Sequence, residues 1–262
     1  MKILPVCVFS LATFVTPTDA EIKGQEVSYR AGDTTLKGYL ASNTQQSGPR
    51  PGVLLVPEFW GQNDYVRKRA RMLAERGYVA LALDMYGDGK MAQNLDEARK
   101  FSGEVRANLP MAKDRFLAAL ELLKSQPEVD GNRIAAFGYC FGGGIALAMA
   151  RMGVDLAGVA SFHGGLATET PAKKGDIKGS LLIMNGADDP LITPENIADF
   201  KQEMTNAGVD FTFIDYPGAK HAFTNPDADR IGQQYQLPVA YNESADHQSW
   251  DESQRFLKAI FN

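Results

Sequence analysis

The residue best placed for chemistry in this 262-residue chain is a cysteine held between two glycines, in Gly138-Tyr139-Cys140-Phe141-Gly142. A mainly apolar run (133–137) precedes it, and a run of small residues typical of a helix (143–150) follows. Where a strand turns directly into a helix, the tip residue is strained and its neighbours approach closely, so glycines are needed there. The helix N-terminus also favours negative charge on the tip side chain. The pattern predicts a nucleophile elbow carrying a reactive thiol at Cys140.

Two later segments supply the partners that such a nucleophile needs. Asp188 and Asp189 follow an apolar strand pattern at 181–185, and His221 follows another at 211–216. The chain order nucleophile, acid, histidine is that of an α/β-hydrolase triad. Either carboxylate could accept the imidazole N–H, so the spacing leaves the acid open between the two aspartates. This constellation predicts acyl transfer through a thioester on the cysteine.

The segments that must position these residues alternate between strand and helix patterns. A hairpin at 25–30 and 34–41 opens the chain. The patterns that follow are buried strands at 51–57, 78–83, 133–137, 156–161, 181–185 and 211–216, and helices at 64–76, 95–126 with a break at Pro110, 194–207 and 245–260. Alternation at this spacing predicts a mainly parallel sheet with helices on both faces. Ligands of such sheets bind at the carboxyl ends of the strands, where the candidate residues lie.

Composition and charge narrow the possible partners. The net charge is −5, and no run of basic residues is present, which argues against nucleic acid. The length fits a single α/β domain over 21–262, present as a monomer or a small homo-oligomer.

The first twenty residues resemble a secretory signal peptide. Lys2 precedes an apolar run from Ile3 to Val15, and small residues lead up to Ala20. The run is shorter than the roughly 20 residues that span a bilayer, so we expect cleavage after Ala20 and no stable membrane insertion. Cys7 leaves with this segment, and Cys140 becomes the only cysteine of a secreted or periplasmic protein.

Five motifs together resemble the dienelactone hydrolase family of α/β-hydrolases over nearly all of the mature chain. They are Pro57-Glu58-Phe59-Trp60-Gly61, Asp84-Met85-Tyr86-Gly87, Gly138-Tyr139-Cys140-Phe141-Gly142-Gly143, Gly186-Ala187-Asp188-Asp189 and His221-Ala222-Phe223. The resemblance implies an α/β-hydrolase fold and a hydrolase of small-molecule esters or lactones. It makes Cys140 the nucleophile, His221 the base and Asp189 the orienting acid, with Asp188 a turn residue.

The resemblance also assigns the groups around the nucleophile. It implies that Glu58 acts as a gate, pairing with the resting thiol and swinging away when substrate arrives. Such pairing would protect the thiol from oxidation. The oxyanion hole is expected from the backbone amides of Phe141, which follows the nucleophile, and of Phe59, in the loop after the first buried strand.

Two positions depart from the best-known family members, which resemble one another in carrying arginines that hold a substrate carboxylate. Asp88 and Asn225 stand at those positions here. Because Asp88 would repel a carboxylate and Asn225 supplies only a neutral donor, we expect an ester or lactone substrate other than a carboxylated dienelactone. Trp60, Tyr86 and Phe223 are predicted to form an apolar pocket wall.

Three further expectations concern the surroundings of the site. His163, at the end of the strand after the elbow helix, is predicted to be structural. A metal site of Cys140, His163 and His221 would have the right residue types, but it lacks the short spacing of ligand pairs, so neither metal nor cofactor is expected. The long loop at 224–244 could cover the site.

The alternative function is a redox-sensing or ligand-binding thiol on a hydrolase scaffold.

Overall fold

The computed structural model describes residues 21–262, so the predicted signal peptide at 1–20 lies outside the described residues. Its centre is an eight-stranded sheet with the strand order β1-β2-β4-β3-β5-β6-β7-β8. The strands are β1 (Ile22–Ala31), β2 (Thr34–Asn43), β3 (Arg50–Val56), β4 (Val79–Ala82), β5 (Val129–Tyr139), β6 (Gly158–Phe162), β7 (Ser180–Gly186) and β8 (Phe211–Tyr216). Strands β3 to β8 pair in parallel, while β1 and β2 form the antiparallel hairpin predicted from the sequence.

Helices connect the parallel strands and flank the sheet. They are α1 (Asp64–Glu75), α2 (Leu95–Ala107), α3 (Leu109–Lys124), α4 (Phe141–Arg151), α5 (Pro194–Ala207), α6 (Ala228–Tyr235) and α7 (Glu243–Phe261). This mainly parallel sheet with flanking helices confirms the predicted α/β-hydrolase fold. None of the helices within 21–262 is long and apolar enough to cross a membrane.

The apolar runs are explained by two separate cores, one on each face of the sheet. Along β3, Leu54 and Val56 pack into one core, and Val53 and Leu55 pack into the other. Because successive side chains of a strand point to opposite faces, a strand covered on both faces must be apolar at every position.

The helical pattern at 95–126 is two helices separated at Asn108, two residues before the predicted break. The Asn108 side chain accepts a hydrogen bond from the Met111 amide and so caps the start of α3. Pro110 lies in the first turn of α3, where a missing N–H removes no helical hydrogen bond. The proline is therefore the second residue of α3 and interrupts neither helix.

The prediction of a long loop at 224–244 was wrong, because this segment contains α6. Its sequence, Ala-Asp-Arg-Ile-Gly-Gln-Gln-Tyr, is only eight residues long and has one buried residue, Ala228. An eight-residue helix is shorter than the window over which helical periodicity is recognised in a sequence. The carboxyl ends of β3, β5, β7 and β8 meet at one edge of the sheet, and the candidate residues follow directly after them.

Candidate active site

Cys140 stands at a strained turn between β5 and α4. Its φ of 53° and ψ of −116° lie in a region that residues with a Cβ rarely adopt. The flanking glycines leave no room for a side chain. A Cβ on Gly138 would lie 2.2 Å from the Gly142 carbonyl oxygen, and a Cβ on Gly142 would lie 2.2 Å from the Val56 carbonyl oxygen. Close approach of backbone to backbone therefore explains both glycines.

His221 joins the thiol to a carboxylate. Its Nε2 lies 3.0 Å from Sγ of Cys140, and its Nδ1 donates to Oδ2 of Asp189 at 2.8 Å. The other oxygen of Asp189 accepts from the Leu191 amide at 2.8 Å, which holds the carboxylate in place. Asp188 is exposed, and its amide donates to the Ala219 carbonyl. The structure thus brings Asp189, and not its neighbour, to the histidine.

The charges around His221 favour its protonated form. Burial alone would lower the pKa of this imidazole, but the negative charge of Cys140 and the hydrogen bonds with Asp189 and Cys140 raise it to about 10. A protonated imidazole beside the sulfur stabilises the thiolate, which is the nucleophilic form of cysteine.

Glu58 is buried beside this pair but forms no hydrogen bond with the thiol. Its Oε2 accepts a hydrogen bond from Nδ2 of Asn225 at 2.6 Å, whereas Sγ of Cys140 is bonded to His221. Burial raises the pKa of Glu58 to about 7, although the Asn225 hydrogen bond and the charge of His221 act in the opposite direction. The resting pair of Glu58 with the thiol, expected from the sequence, is therefore absent from this arrangement. Sequence reasoning missed Asn225 as the partner of Glu58.

The two amides predicted for an oxyanion hole have no competing acceptor. Within residues 21–262, neither the Phe59 nor the Phe141 amide donates a hydrogen bond to another residue. Phe141 is the first residue of α4, where helical N–H groups lack partners. The Phe59 carbonyl accepts from the Tyr86 hydroxyl at 2.9 Å, which fixes the loop that carries the other amide.

A cavity of about 500 Å³ opens onto Cys140, Glu58 and His221. Its volume suits a small-molecule ligand. Trp60 lines it, as predicted, together with further lining residues from several elements: Phe59, Phe141, Leu191, Ile192, Ile231, Leu237 and Val239.

The prediction that Tyr86 and Phe223 line this pocket was wrong. Tyr86 lies behind the cavity wall, with its ring 5.8 Å from that of Phe141. Phe223 is fully buried and packs edge-on against His163 at 5.2 Å. Both rings pack against residues that line the cavity, on the side away from it. Residue type and loop position alone could not distinguish this packing role from a place in the cavity wall.

His163 is also fully buried, 5.4 Å from the ring of His221. Its Nδ1 accepts a hydrogen bond from the Cys140 amide at 3.1 Å, and its Nε2 bonds to Oγ1 of Thr224 at 2.7 Å. Burial, and then the charge of His221, lower the pKa of His163 well below its ordinary value, so it is neutral. In the part of the chain that the structure describes, no three His, Cys, Asp or Glu side chains are grouped to hold a metal ion.

The sequence profile of the dienelactone hydrolase family matches residues 36–261, which include every residue of this arrangement. The chain belongs to the dienelactone hydrolase family. Membership identifies it as a hydrolase of carboxylic esters or lactones.

Relatives agree with this assignment to the dienelactone hydrolases. The chain is 30% identical over 203 residues to a Yersinia pestis protein named "Putative carboxymethylenebutenolidase", a match covering 72% of this chain and 74% of the relative. The solved structure of m3DLH is 38% identical, with a TM-score of 0.87, and covers 92% of this chain and 99% of its own. The dienelactone hydrolase-like promiscuous phosphotriesterase P91, from metagenomic libraries, is 36% identical with a TM-score of 0.82, over 92% of this chain and 99% of its own.

One of the two departures from the best-known dienelactone hydrolases lies away from the site. Asp88 is exposed, is not among the residues lining the cavity, and lies 3.8 Å from the Lys90 ammonium. Its charge therefore does not face a bound ligand directly, contrary to the expectation of repulsion. Asn225 does line the cavity, where it holds Glu58.

The segment at 224–244 forms one wall of the dienelactone hydrolase cavity. Ala228 and Ile231 of α6, and Val239 beyond it, line the cavity. The segment is tied to the site by backbone hydrogen bonds, from Ala240 to the His221 carbonyl at 3.1 Å and from Asn242 to the Phe223 carbonyl at 3.0 Å.

Proposed function

We propose that this protein hydrolyses a small-molecule ester or lactone through a Cys140-His221-Asp189 triad and a thioester intermediate. The observation that carries the proposal is the continuous chain of contacts from Sγ of Cys140 through the His221 ring to Asp189, at 3.0 and 2.8 Å. These distances are those of a nucleophile, its proton carrier and an orienting acid.

In the acylation step, the Cys140 thiolate attacks the substrate carbonyl carbon and forms a carbon–sulfur bond. The carbonyl electron pair moves to oxygen, and the resulting oxyanion is stabilised by the Phe59 and Phe141 amides. The pair then returns to re-form the carbonyl and breaks the bond to the leaving alkoxide. His221 donates its Nε2 proton to that alkoxide, leaving a thioester and a neutral imidazole.

In the deacylation step, a water molecule replaces the alcohol. The neutral His221 takes a proton from this water as the oxygen attacks the thioester carbon. Collapse of the second oxyanion expels the Cys140 thiolate and releases a carboxylic acid, which gives its proton to solvent at neutral pH. The thiolate and imidazolium are thereby restored.

Glu58 has a part in this cycle as the second titratable group of the site. With a pKa of about 7 it changes charge near neutral pH, and its bond with Asn225 keeps it from the sulfur while His221 pairs with the thiolate. We infer that Glu58 takes the proton of the Cys140 thiol before acylation and gives it back to the sulfur after the acid product leaves, so that the proton is conserved over the cycle.

The proposal is tested by turnover of a panel of enol-lactones and activated esters, with acid quenching and intact-mass detection of the acyl adduct. Cys140→Ala should abolish both turnover and adduct. The neighbouring aspartates offer a matched pair: Asp189→Asn should lower kcat by about 10³-fold, because the imidazole loses its orienting acceptor, and Asp188→Asn should stay near wild type. Equal turnover in the wild type and in Cys140→Ala would contradict the mechanism, as would oxidation of Cys140 to a sulfenic acid without any turnover.

Export of the mature chain as a single domain over 21–262 is a further part of the proposal. It rests on the composition of residues 1–20. The intact mass of the protein recovered from the periplasm or medium tests it, since cleavage after Ala20 leaves Glu21 as the first residue. A mass that retains the first twenty residues would contradict it.

A further inference from the structure

Helix α1 holds both polar groups of Thr224, a fully buried residue beside the active site. The Thr224 carbonyl accepts a hydrogen bond from Nη2 of Arg69 at 2.7 Å, and its hydroxyl contacts the Tyr65 hydroxyl. Tyr65 and Arg69 are four residues apart on α1 and therefore share one face of the helix. Arg69 lies outside the five motifs that carried the sequence resemblance.

Thr224 belongs to a tight turn that carries two residues of the active site. His221 begins this turn, and Asn225 ends it. The Asn225 amide donates to the Ala222 carbonyl at 2.9 Å, and Ala222 has a φ of 60°, in the left-handed region that residues with a Cβ rarely adopt. A strained turn of this kind persists only where the surrounding structure holds it. The hydrogen bond from α1 to the Thr224 carbonyl is one such restraint.

Arg69 is itself fixed by α7. Its Nη2 also donates to Oδ1 of Asp246, and the side chains of this ion pair are only 5% and 9% exposed. The other oxygen of Asp246 accepts from the Tyr241 hydroxyl at 3.3 Å. The guanidinium lies over the rings of Tyr65 and Trp250, 5.3 and 5.7 Å from their centroids, where aromatic faces attract a cation. A side chain with all these contacts has little freedom to move.

Stability alone does not account for a charged pair at this position. A buried ion pair is often no more stabilising than apolar residues of the same volume, because both charges lose their hydration. The pair of Arg69 and Asp246 provides a fixed donor to the Thr224 carbonyl, which an apolar pair would leave without one. The charged pair therefore fixes the position of the main chain at Thr224.

We propose that Arg69 is a positioning residue of the hydrolase site. By holding the Thr224 carbonyl, it sets the turn from His221 to Asn225. The imidazole then reaches the thiol, and the Asn225 amide reaches Glu58. This inference rests on the proposed function and adds to it a residue that is not among those lining the cavity.

The test removes the ion pair without leaving a buried charge. In the double variant Arg69→Met/Asp246→Leu, apolar side chains replace both charges, and the Thr224 carbonyl loses its donor. We expect kcat for the activated esters of the panel to fall about tenfold with KM within about twofold of the wild type, because the imidazole is displaced while the cavity wall is kept. Arg69→Lys, which keeps the charge on a shorter side chain, should recover part of kcat.

Alkylation of Cys140 by iodoacetamide gives a second readout, which needs no turnover. Its rate depends on the thiolate, which the protonated imidazole stabilises. The mass of the peptide that contains Cys140 separates its signal from that of Cys7. We expect the double variant to be alkylated about fivefold more slowly than the wild type at neutral pH.

The ion pair of Arg151 and Glu203 supplies the matched control. It is buried to a similar extent, with side chains 5% and 8% exposed. Arg151 likewise donates both to the carboxylate and to a main-chain carbonyl, that of Leu166, at 2.8 and 3.0 Å. This pair lies outside the turn at 221–225, so Arg151→Met/Glu203→Leu should keep the wild-type kcat and alkylation rate even where its melting temperature falls equally.

The outcomes separate the two proposals. Ester turnover that is lost in Cys140→Ala supports the proposed function whatever the Arg69 variants do. If the Arg69 double variant keeps the wild-type kcat, changes KM instead, or loses no more kcat than the Arg151 double variant, the positioning role is overturned while the hydrolase mechanism stands.

Two further outcomes are decided by the remaining measurements. If thermal melts show that the Arg69 double variant does not fold, Arg69→Lys decides: a lower kcat at unchanged KM supports the positioning role, and a wild-type kcat overturns it. If the wild type turns over no ester, the proposed function fails. The alkylation rates then decide the position of the imidazole by the same comparison with the Arg151 double variant.

Discussion

The backbone amide of Cys140 donates to Nδ1 of His163 at 3.1 Å and also to the Phe162 carbonyl at 3.0 Å. A ring nitrogen that accepts an N–H carries no proton, so Nε2 of His163 must donate to the Thr224 hydroxyl, 2.7 Å away. That hydroxyl lies 2.6 Å from the Tyr65 hydroxyl. A neutral histidine therefore links the main chain of Cys140, the proposed nucleophile, to the segment that forms a wall of the cavity.

Removing the His163 ring should impair the positioning of Cys140 more than it impairs substrate binding. We expect His163→Ala to lower kcat about tenfold with a smaller change in KM, and to lower the free energy of unfolding by about 3 kcal/mol, because it leaves a cavity and unpaired groups. His163→Asn, which keeps an acceptor for the Cys140 amide, should recover part of kcat. Kinetics and urea unfolding measure both effects, and His247→Ala on the exposed side of α7 is the control. A change in KM alone would contradict the positioning role.

The pKa of His221 should depend on the charge of Cys140. Among the causes that raise this pKa to about 10, the charge of Cys140 is the largest, so Cys140→Ala should lower it. An NMR titration of the imidazole protons in the wild type and variant measures the difference. Identical titration curves would mean that Asp189 alone sets the protonation of the ring.

Glu58 should make the protein less stable as the pH rises through neutrality. Its pKa is about 7 in the folded protein against an ordinary value of 4.5, so the folded state holds a proton that the unfolded state releases between these values. The stability contributed by the protonated group is fully present below pH 4.5 and is lost as the pH passes about 7. Glu58→Gln cannot ionise at this position. We expect it to be more stable than the wild type by roughly 3 kcal/mol at pH values above about 7, and as stable as the wild type below pH 4.5.

Urea unfolding at several pH values measures this difference. Glu75→Gln, at an exposed glutamate that ends α1, supplies the comparison for loss of one negative charge. A pH-independent difference between Glu58→Gln and the wild type would show that the pKa of Glu58 is the same in the folded and unfolded protein.

A methyl group at Gly142 should destabilise the elbow. The added Cβ would lie 2.2 Å from the Val56 carbonyl oxygen, and neither β3 nor the start of α4 can shift without moving Cys140. We expect Gly142→Ala to lower the free energy of unfolding by about 3 kcal/mol or more and to reduce activity. Gly103→Ala in α2 meets no atom within 4 Å and should raise stability by about 1 kcal/mol. Thermal and urea unfolding compare the two, and equal stability would refute the steric argument.

Local patterns accounted for much of the fold and for the sequence positions of the site. The buried strands were predictable because both faces of the sheet are covered, as along β3, and the elbow was predictable because Gly138 and Gly142 have no alternative there. The choice of Asp189 over Asp188 followed from the resemblance, while spacing alone left it open.

The remaining features depend on contacts between distant segments. The bond between Glu58 and Asn225 joins residues 167 positions apart, and nothing in either local sequence indicates it. Arg69 reaches the Thr224 carbonyl because of how α1 packs, and an arginine in a helix is equally typical of a solvated face. Tyr86 and Phe223 were misplaced for the same reason, since burial behind a wall is a property of tertiary packing.

The strand order has a consequence for refolding. Cys140, Asp189 and His221 follow β5, β7 and β8, and β6 lies between the first two of these strands. The sulfur, imidazole and carboxylate therefore reach one another only after four strands have paired in register, which requires contacts between segments far apart in the chain. Under the proposed mechanism, recovery of hydrolysis during refolding reports a late event, after helix formation and collapse. An activity assay then counts only molecules in which this half of the sheet is complete.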